Sequence, residues 1–369
     1  MNKLTNKAIQ LLKDLIKIES YSFNENKTGN RIEKWLESHG IEIKRNQNNV
    51  YAYNKFYDSN KPTILLNSHH DTVKPNKGYK NDPFNSKIEN GKLYGLGSND
   101  AGGALVSLIA VFTYYYNKKD LKYNLILLAS AEEECSGENG IASIIPILPK
   151  IDFAIIGEPT LMKMAIAERG LIVFDIKIKG TSSHAAHIND DNPIIKSIEV
   201  LKWIKNLKFE KKSKFLGNVK ATVTQIQSGN QHNVVPSELK IVLDVRVNDC
   251  YTNQEIYDIL KKDSPCEIIP RSLNLNSSSI STDHAIVSAA NKLGVQKYGS
   301  PTLSDQSKIS FPSIKMGPGD SLRSHSADEY IYVDEIKNAI PLYIKLLNKI
   351  YHQSMILRKK KTINQKKKA

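Results

Sequence analysis

At 369 residues, 40% hydrophobic and 24% charged, the chain has an ordinary globular composition and is too long for one small core, so two domains are expected. No apolar run approaches the ~20 residues needed to cross a bilayer, and the scattered Cys135, Cys250 and Cys266 form no disulfide framework or thiolate metal site, which fits a reducing cytoplasm. The formal charge of +14 falls to about +7 without the seven basic residues of the last twelve positions, a tail that reads as a solvated, disordered end, with nucleic-acid attraction as the weaker alternative.

Residues 5–18 place Leu, Ala and Ile at helical spacing between lysines, an amphipathic helix rather than a signal peptide. A second helix is expected at 30–39, and others at 101–116 and 137–147. They alternate with the apolar runs Thr63–Leu66, Asn124–Leu128 and Phe153–Ile156, which predict buried strands of an α/β sheet. The pattern changes near Arg169. Residues 171–179 take on a period of two, followed by a helix at 192–207, strands at 219–227 and 239–247, a helix at 253–262 and a strand at 266–270. Two helices on one face of an antiparallel sheet would make a compact α+β second domain. Helices at 282–293 and 334–350 and a strand at 313–316 complete the chain. The first domain is therefore expected to be discontinuous, 1–168 with 275–352, the second to be an insertion at 169–274, and the basic tail to span 353–369.

Chemistry concentrates in five motifs: Ser68-His69-His70-Asp71, Gly97-Ser98-Asn99-Asp100, Glu132-Glu133-Glu134, Gly157-Glu158-Pro159 and Ser324-His325-Ser326-Ala327-Asp328-Glu329. Three of them follow apolar runs directly, and open α/β sheets carry their functional groups beyond the carboxyl ends of their strands. Imidazole and carboxylate ligands without cysteine suit zinc, with cobalt or manganese as substitutes, in a two-ion hydrolytic centre. His69 is expected to bind metal with Asp71 orienting it, while His70 packs on the opposite side. Asp100, otherwise read as a helix N-cap, would bridge two ions. Glu134 is expected as a ligand and Glu133 as general base and later general acid, with Glu132 as the fallback base. Glu158 would be the outer carboxylate on one ion, and His325 the imidazole on the other.

These motifs resemble the M20 metallopeptidase family, which includes acetylornithine deacetylase and succinyl-diaminopimelate desuccinylase, over about residues 5–350. The resemblance implies a zinc-peptidase-like catalytic domain, a mixed sheet with helices on both faces, and an inserted ferredoxin-like lid and dimerisation domain. It implies His69, Asp100, Glu134, Glu158 and His325 as ligands of two zinc ions, Asp71 in support and Glu133 as base. Gly180-Thr181-Ser182-Ser183-His184 resembles the lid motif whose histidine stabilises the oxyanion, often across a homodimer. Asn233-Val234-Val235-Pro236 and Asp244-Val245-Arg246 resemble segments that hold the substrate carboxylate, and Ser304-Asp305 stands where relatives line the pocket. Two departures are visible: Asp100-Ala101-Gly102 lacks the lysine many relatives carry, and Ser300–Asp305 replaces a tighter turn.

Gly317-Pro318-Gly319-Asp320-Ser321 before His325 looks most like the LysW-lysine/ornithine hydrolases (LysK type). That implies release of lysine or ornithine from the C-terminal glutamate of an acidic amino-group carrier protein, in lysine and arginine biosynthesis. An acidic carrier would match the positive charge. The enzymatic alternative is an N-acetylornithine or N-acetyl-lysine deacetylase. The alternative of another class is a non-catalytic binder acting through its basic tail.

Overall fold

A computed structural model describes the backbone to Lys366 and side chains to Ile350; the tail expected to be disordered at 353–369 continues the last helix to Lys366, and its final three residues lie outside the described residues. The chain opens with α1 (Asn2–Ile16), α2 (Asn26–Glu37), β1 (Lys44–Asn46), β2 (Asn49–Tyr53), β3 (Thr63–His69), β4 (Ile88–Glu89) and β5 (Lys92–Tyr94). Next come α3 (Gly103–Tyr116), β6 (Asn124–Ser130), α4 (Ile141–Ile144), β7 (Phe153–Ile156) and β8 (Met164–Glu168). The middle of the chain forms β9 (Gly170–Lys179), β10 (Ser183–His184), α5 (Pro193–Lys205), β11 (Lys220–Ser228), β12 (Val234–Val235), β13 (Glu238–Val247), α6 (Asn253–Asp263) and β14 (Glu267–Pro270). It ends with β15 (Ser278–Ser279), α7 (Ala285–Asn291), β16 (Lys297–Ser300), β17 (Ser313–Lys315), β18 (Tyr330–Tyr332) and α8 (Val333–Lys366). Two compact units result: Met1–Ile166 with Ile280–Tyr298 and Ser304–Ala369, and Ala167–Ser279 with Gly299–Leu303.

The first unit is built on a mixed sheet in the order β1-β2-β6-β3-β7-β17-β8. Its centre is parallel: β3 pairs with β6 and β7, and β17 with β7. Every residue of β3 and β6 is buried, as expected of strands covered on both faces. Leu65, Ile126, Leu128 and Ile156 pack with Ile141 and Ile144 of α4. On the other face, Ala104 and Leu108 of α3 approach Gly157 so closely that a Cβ there would lie 2.8 Å from Leu108. α3 is buried on nearly all sides because α1 and α8 cover it. The parallel register aligns the carboxyl ends of β3, β6 and β7, and three of the motifs leave the sheet along that edge.

Two expected helices begin later than their periodicity suggests. The one expected at 137–147 is confined to α4 and a 3-10 turn (Ile145–Ile147), because residues 132–140 close into a loop. There Gly137 N donates to Glu132 O (2.8 Å), and Glu132 and Ser136 adopt positive φ. The helix expected from 101 starts at Gly103, after an irregular turn, Ser98–Gly102, in which Asp100 has extended dihedrals and a cis peptide to Ala101.

The second unit has an antiparallel sheet in the order β11-β13-β9-β14. Burial alternates along β9 and β13, the period of two read from the sequence. Phe174, Ile176, Ile241 and Leu243 meet Val200 and Ile204 of α5 and Ile256 and Leu260 of α6 in one core. A capping box, Thr252 with Glu255, starts α6. Residues 275–279 and 299–303 belong to this unit rather than to the first, beyond the insertion expected at 169–274. Leu171 N donates to Leu275 O (2.9 Å), and Gly299 packs on the Phe215 backbone, where a Cβ would approach to 2.3 Å.

Leu66 lies fully buried in central β3, so Leu66→Ala should lower the stability of the first unit by about 2–5 kcal/mol. Glu37→Ala on the exposed end of α2 should stay within about 0.5 kcal/mol. Denaturant-unfolding midpoints of the two variants check the contrast.

Candidate metal centre

His69 ends β3 with its imidazole fully buried. Its Nδ1 lies 3.0 Å from the backbone carbonyl of Asp71 and 3.4 Å from that residue's carboxylate, which leaves Nε2 to face the cluster. The Asp71 carboxylate does more than orient the ring. Its two oxygens accept from Glu133 N and Glu134 N, each at 3.1 Å, and from Ser22 Oγ at 2.7 Å. One carboxylate thus pins both the histidine and the turn that carries the two glutamates. His70 points the other way, as expected, with Nδ1 on Thr28 Oγ1 and Nε2 on the Asn48 carbonyl, both at 2.9 Å.

Asp100 is not an N-cap: no side-chain capping bond is formed, and its carboxylate lies between two imidazoles. The distances are 3.3 Å to His69 Nε2 and 3.6 Å to His325 Nε2. His325, half-exposed, also reaches Glu134 Oε2 at 3.0 Å. His69 Nε2 lies 3.9 Å from both Glu133 Oε2 and Glu158 Oε1. The ligand atoms of His69, Asp100 and Glu134 fall within 4.8 Å of one another, and so do those of His69, Glu133 and Glu158. Glu132 faces elsewhere, accepting from Asn139 N (3.0 Å) and Asn139 Nδ2 (3.1 Å), so it holds its own loop and is withdrawn as a fallback base.

Asp305 is buried, its Oδ2 accepting from Asn67 Nδ2 and Ser130 Oγ, each at 2.7 Å. Ser304 caps the short turn Asp305–Lys308 by accepting from Gln306 N, and both residues line a small cleft with Glu133. Other participants carry signals the motif reading passed over. Lys315 interrupts an apolar strand and is buried, and its charge offsets part of the rise that burial imposes on Glu158. Glu329, at the end of the quoted His325 motif, is buried against the Asp100 turn and pushed up to about 8 by burial and by Asp100.

Electrostatics supplies the test of metal fit. Burial raises Glu133, Glu134 and Glu158, each further raised by neighbouring carboxylates. Burial alone would lower His69, yet Glu133, Asp100, Asp71 and Glu158 lift it well above its ordinary value. Such a cluster is short of positive charge. Two imidazoles and several carboxylates at these separations fit a pair of divalent cations, which would relieve the repulsion.

In the second unit, β10 pairs with β12, and Ala185 N donates to Asn233 O (2.9 Å), bringing the exposed His184 and Asn233 onto one small ribbon. Arg246 stands apart on β13 with its fork closed on Asp244, at 2.8 and 3.0 Å.

The profile of peptidase family M20/M25/M40 matches residues 65–349. The chain belongs to this family. M20 membership makes it a hydrolase of amide bonds. It is similar to the succinyl-diaminopimelate desuccinylase of Rickettsia bellii, 29% identical over 294 residues that cover 73% of this chain and 74% of the relative. The enzyme of the same name from Rickettsia felis is 28% identical over 282 residues, 69% of this chain and 73% of the relative. Among solved structures, a tripeptidase from Staphylococcus aureus superposes with a TM-score of 0.76 at 18% identity, over 94% of this chain and 99% of that one. The YxeP protein of Bacillus subtilis, described as a dinuclear metal binding peptidase of the M20 family, gives 0.73 at 18% identity, over 95% and 99%. At these identities the two structures establish the M20 fold alone. No helix among the described residues is long and apolar enough to cross a membrane.

His70 gives a pH-dependent prediction. Burial lowers its pKa from 6.5 to about 4. A group depressed in the folded state contributes stability above its unfolded pKa and loses it as pH falls toward the folded value. The native state should therefore lose on the order of 3 kcal/mol between about pH 6.5 and 4 through this residue. In His70→Gln that component of the slope should vanish, as read from denaturant unfolding across the window.

Proposed function

We propose that the chain is a dinuclear, divalent-metal-dependent amidohydrolase that releases lysine and/or ornithine from the C-terminal glutamate of an acidic amino-group carrier protein. The observation that carries the hydrolytic part is the convergence of His69, Asp100, Glu134, Glu158 and His325 from separate segments, with Glu133 Oε2 3.9 Å from His69 Nε2. The carrier substrate draws support from the Gly317–Ser321 segment before His325 and from the net charge of +14, which would attract an acidic protein. A homodimer belongs to the same proposal.

His69, Asp100 and Glu158 would hold one ion, and Asp100, Glu134 and His325 the other, with zinc preferred and cobalt or manganese able to substitute. When bound, such a pair would supply Lewis acidity toward the scissile carbonyl and toward an attacking water, whose pKa it would bring toward ~7. Glu133 would take a proton from the attacking water as its oxygen bonds to the acyl carbon, and return that proton to the amine nitrogen as the C–N bond breaks, so the acyl group leaves as a carboxylate and the diamino acid as a free amine. Asp71 keeps Glu133 and Glu134 on their correct sides by binding both of their backbone N–H groups. His184 would donate to the oxyanion. Asn233 and Arg246 would hold the substrate carboxylate, with Arg246 sharing its fork with Asp244. Ser304 and Asp305 would border the leaving group.

Hydrolysis of a small N-acyl amino acid is the second reading, favoured by the desuccinylase relatives at 28–29% identity. A succinyl group and a γ-glutamyl group both carry a free carboxylate a few carbons beyond the scissile carbonyl, so one acyl pocket could accept either.

Glu133→Gln should retain bound zinc while kcat falls about 10²–10⁴-fold, whereas Glu132→Gln should keep kcat within a few-fold. Steady-state kinetics beside metal analysis would detect a reversal, which would move the base to Glu132. For the substrate, chromatography of amino acids released from the carrier conjugate, N-succinyl-diaminopimelate, N-acetylornithine and N-acetyl-lysine decides. Turnover of the conjugate is expected, and turnover confined to the small acyl compounds would remove the carrier.

A further inference from the structure

We infer that Glu329 is a positioning residue that sets the carboxylate of Asp100 between His69 and His325. Glu329 is buried and accepts three backbone N–H groups from one turn. Its Oε1 binds Asn99 N at 2.8 Å and Asp100 N at 2.9 Å, and its Oε2 binds Gly97 N at 3.1 Å. The second of these donors belongs to Asp100 itself, so the bond fixes the backbone nitrogen attached to the Cα that bears the ligand.

Nothing else in that turn could do the same work. Residues 98–102 lie outside regular helix, and Asp100 has φ −116° and ψ 99°, so its N–H has no helical acceptor. Gly97 enters at φ +73°, a conformation glycine adopts without strain, and packs where a Cβ would come within 2.5 Å of Thr72. With cations beside Asp100 offsetting the charge that raises its pKa, Glu329 would be ionised and acceptor-only, and its two oxygens can serve three converging donors. An amide at the same place would turn one oxygen into a donor facing N–H.

The same residue ties the two ligand-bearing segments together. Glu329 lies four positions after His325, and its own carbonyl accepts from Gly95 N at 3.0 Å. Asn99 adds a second tie, donating to Asp320 O and accepting from Asp320 N, both at 3.0 Å. Asp100 and His325 therefore sit on two strips of backbone laced at both ends, and only their side chains are left facing the cluster. The His325 turn is held from its outer side as well, by Asn76 Nδ2 on His325 O (3.0 Å) and by Asp328 on the backbone of Lys80 and Asn81.

The inference rests on Asp100 and His325 being metal ligands. It is tested by titrating zinc against a chromophoric chelator with metal-free wild type, Glu329→Gln and Glu329→Asp, with far-UV circular dichroism on the same samples. Glu329→Gln is expected to keep the fold and lose about 10–100-fold in zinc affinity, with Glu329→Asp between it and wild type. Its turnover should recover with excess zinc while KM stays unchanged, and amide exchange at Asn99 and Asp100 should accelerate in the metal-free variant. Wild-type zinc affinity in Glu329→Gln, or collapse of the fold in both variants, overturns the positioning role. A wild type that binds no zinc sinks the ligand assignment instead, and this inference with it.

Discussion

Four carboxylates, Asp100, Glu133, Glu134 and Glu158, are held against two imidazoles in a buried place where they repel one another. A free chain would never gather them. The cost is borne by the apolar sheet beneath, since every residue of β3 and β6 is buried and their parallel pairing aligns the ends from which His69 and the glutamates emerge. Hydrophobic burial scales with area and has no direction, so it can support a local electrostatic penalty placed at its rim. The pairing register then decides where the penalty falls.

Directional control comes from buried carboxyl groups that accept from backbone N–H groups beside the cluster. Asp71 holds the N–H groups of Glu133 and Glu134, Glu329 those of Gly97, Asn99 and Asp100, and Glu25 accepts from Glu132 N at 3.2 Å. Each fixes the main chain close to a functional side chain without occupying that side chain's own oxygens. Rotamer freedom is removed where the chemistry needs it removed. The same logic separates three consecutive glutamates into distinct roles: Glu132 turns back onto its loop at Asn139, while Glu133 and Glu134 face the cluster.

Much of the fold was legible because its signals are local. Apolar runs at 63–66, 124–128 and 153–156 mark buried strands, and the period of two from 171 onward matches the alternating burial of β9 and β13. The start of α3 and the extent of α4 were misjudged for one shared reason. Near the cluster, tertiary hydrogen bonds override helical propensity: Glu329 draws the backbone of 97–100 out of helix, and Glu132 closes the loop over 132–140. The candidate ligands were legible from residue type and place in the chain, yet the contacts of Glu329 and Lys315 were not, because they depend on partners far away in sequence.

By itself the sequence determined the donor chemistry, the strand-and-helix alternation and the order of the five motifs, since those follow from side-chain type and short-range periodicity. Only the tertiary structure decided which of three adjacent glutamates faces His69, that Asp100 bridges two imidazoles instead of capping a helix, and that Asp71 and Glu329 act on backbone. The reason is physical: a side chain's direction is set by which N–H groups and neighbours lie within about 3 Å of it, and chain folding alone brings residues 100 and 329 that close.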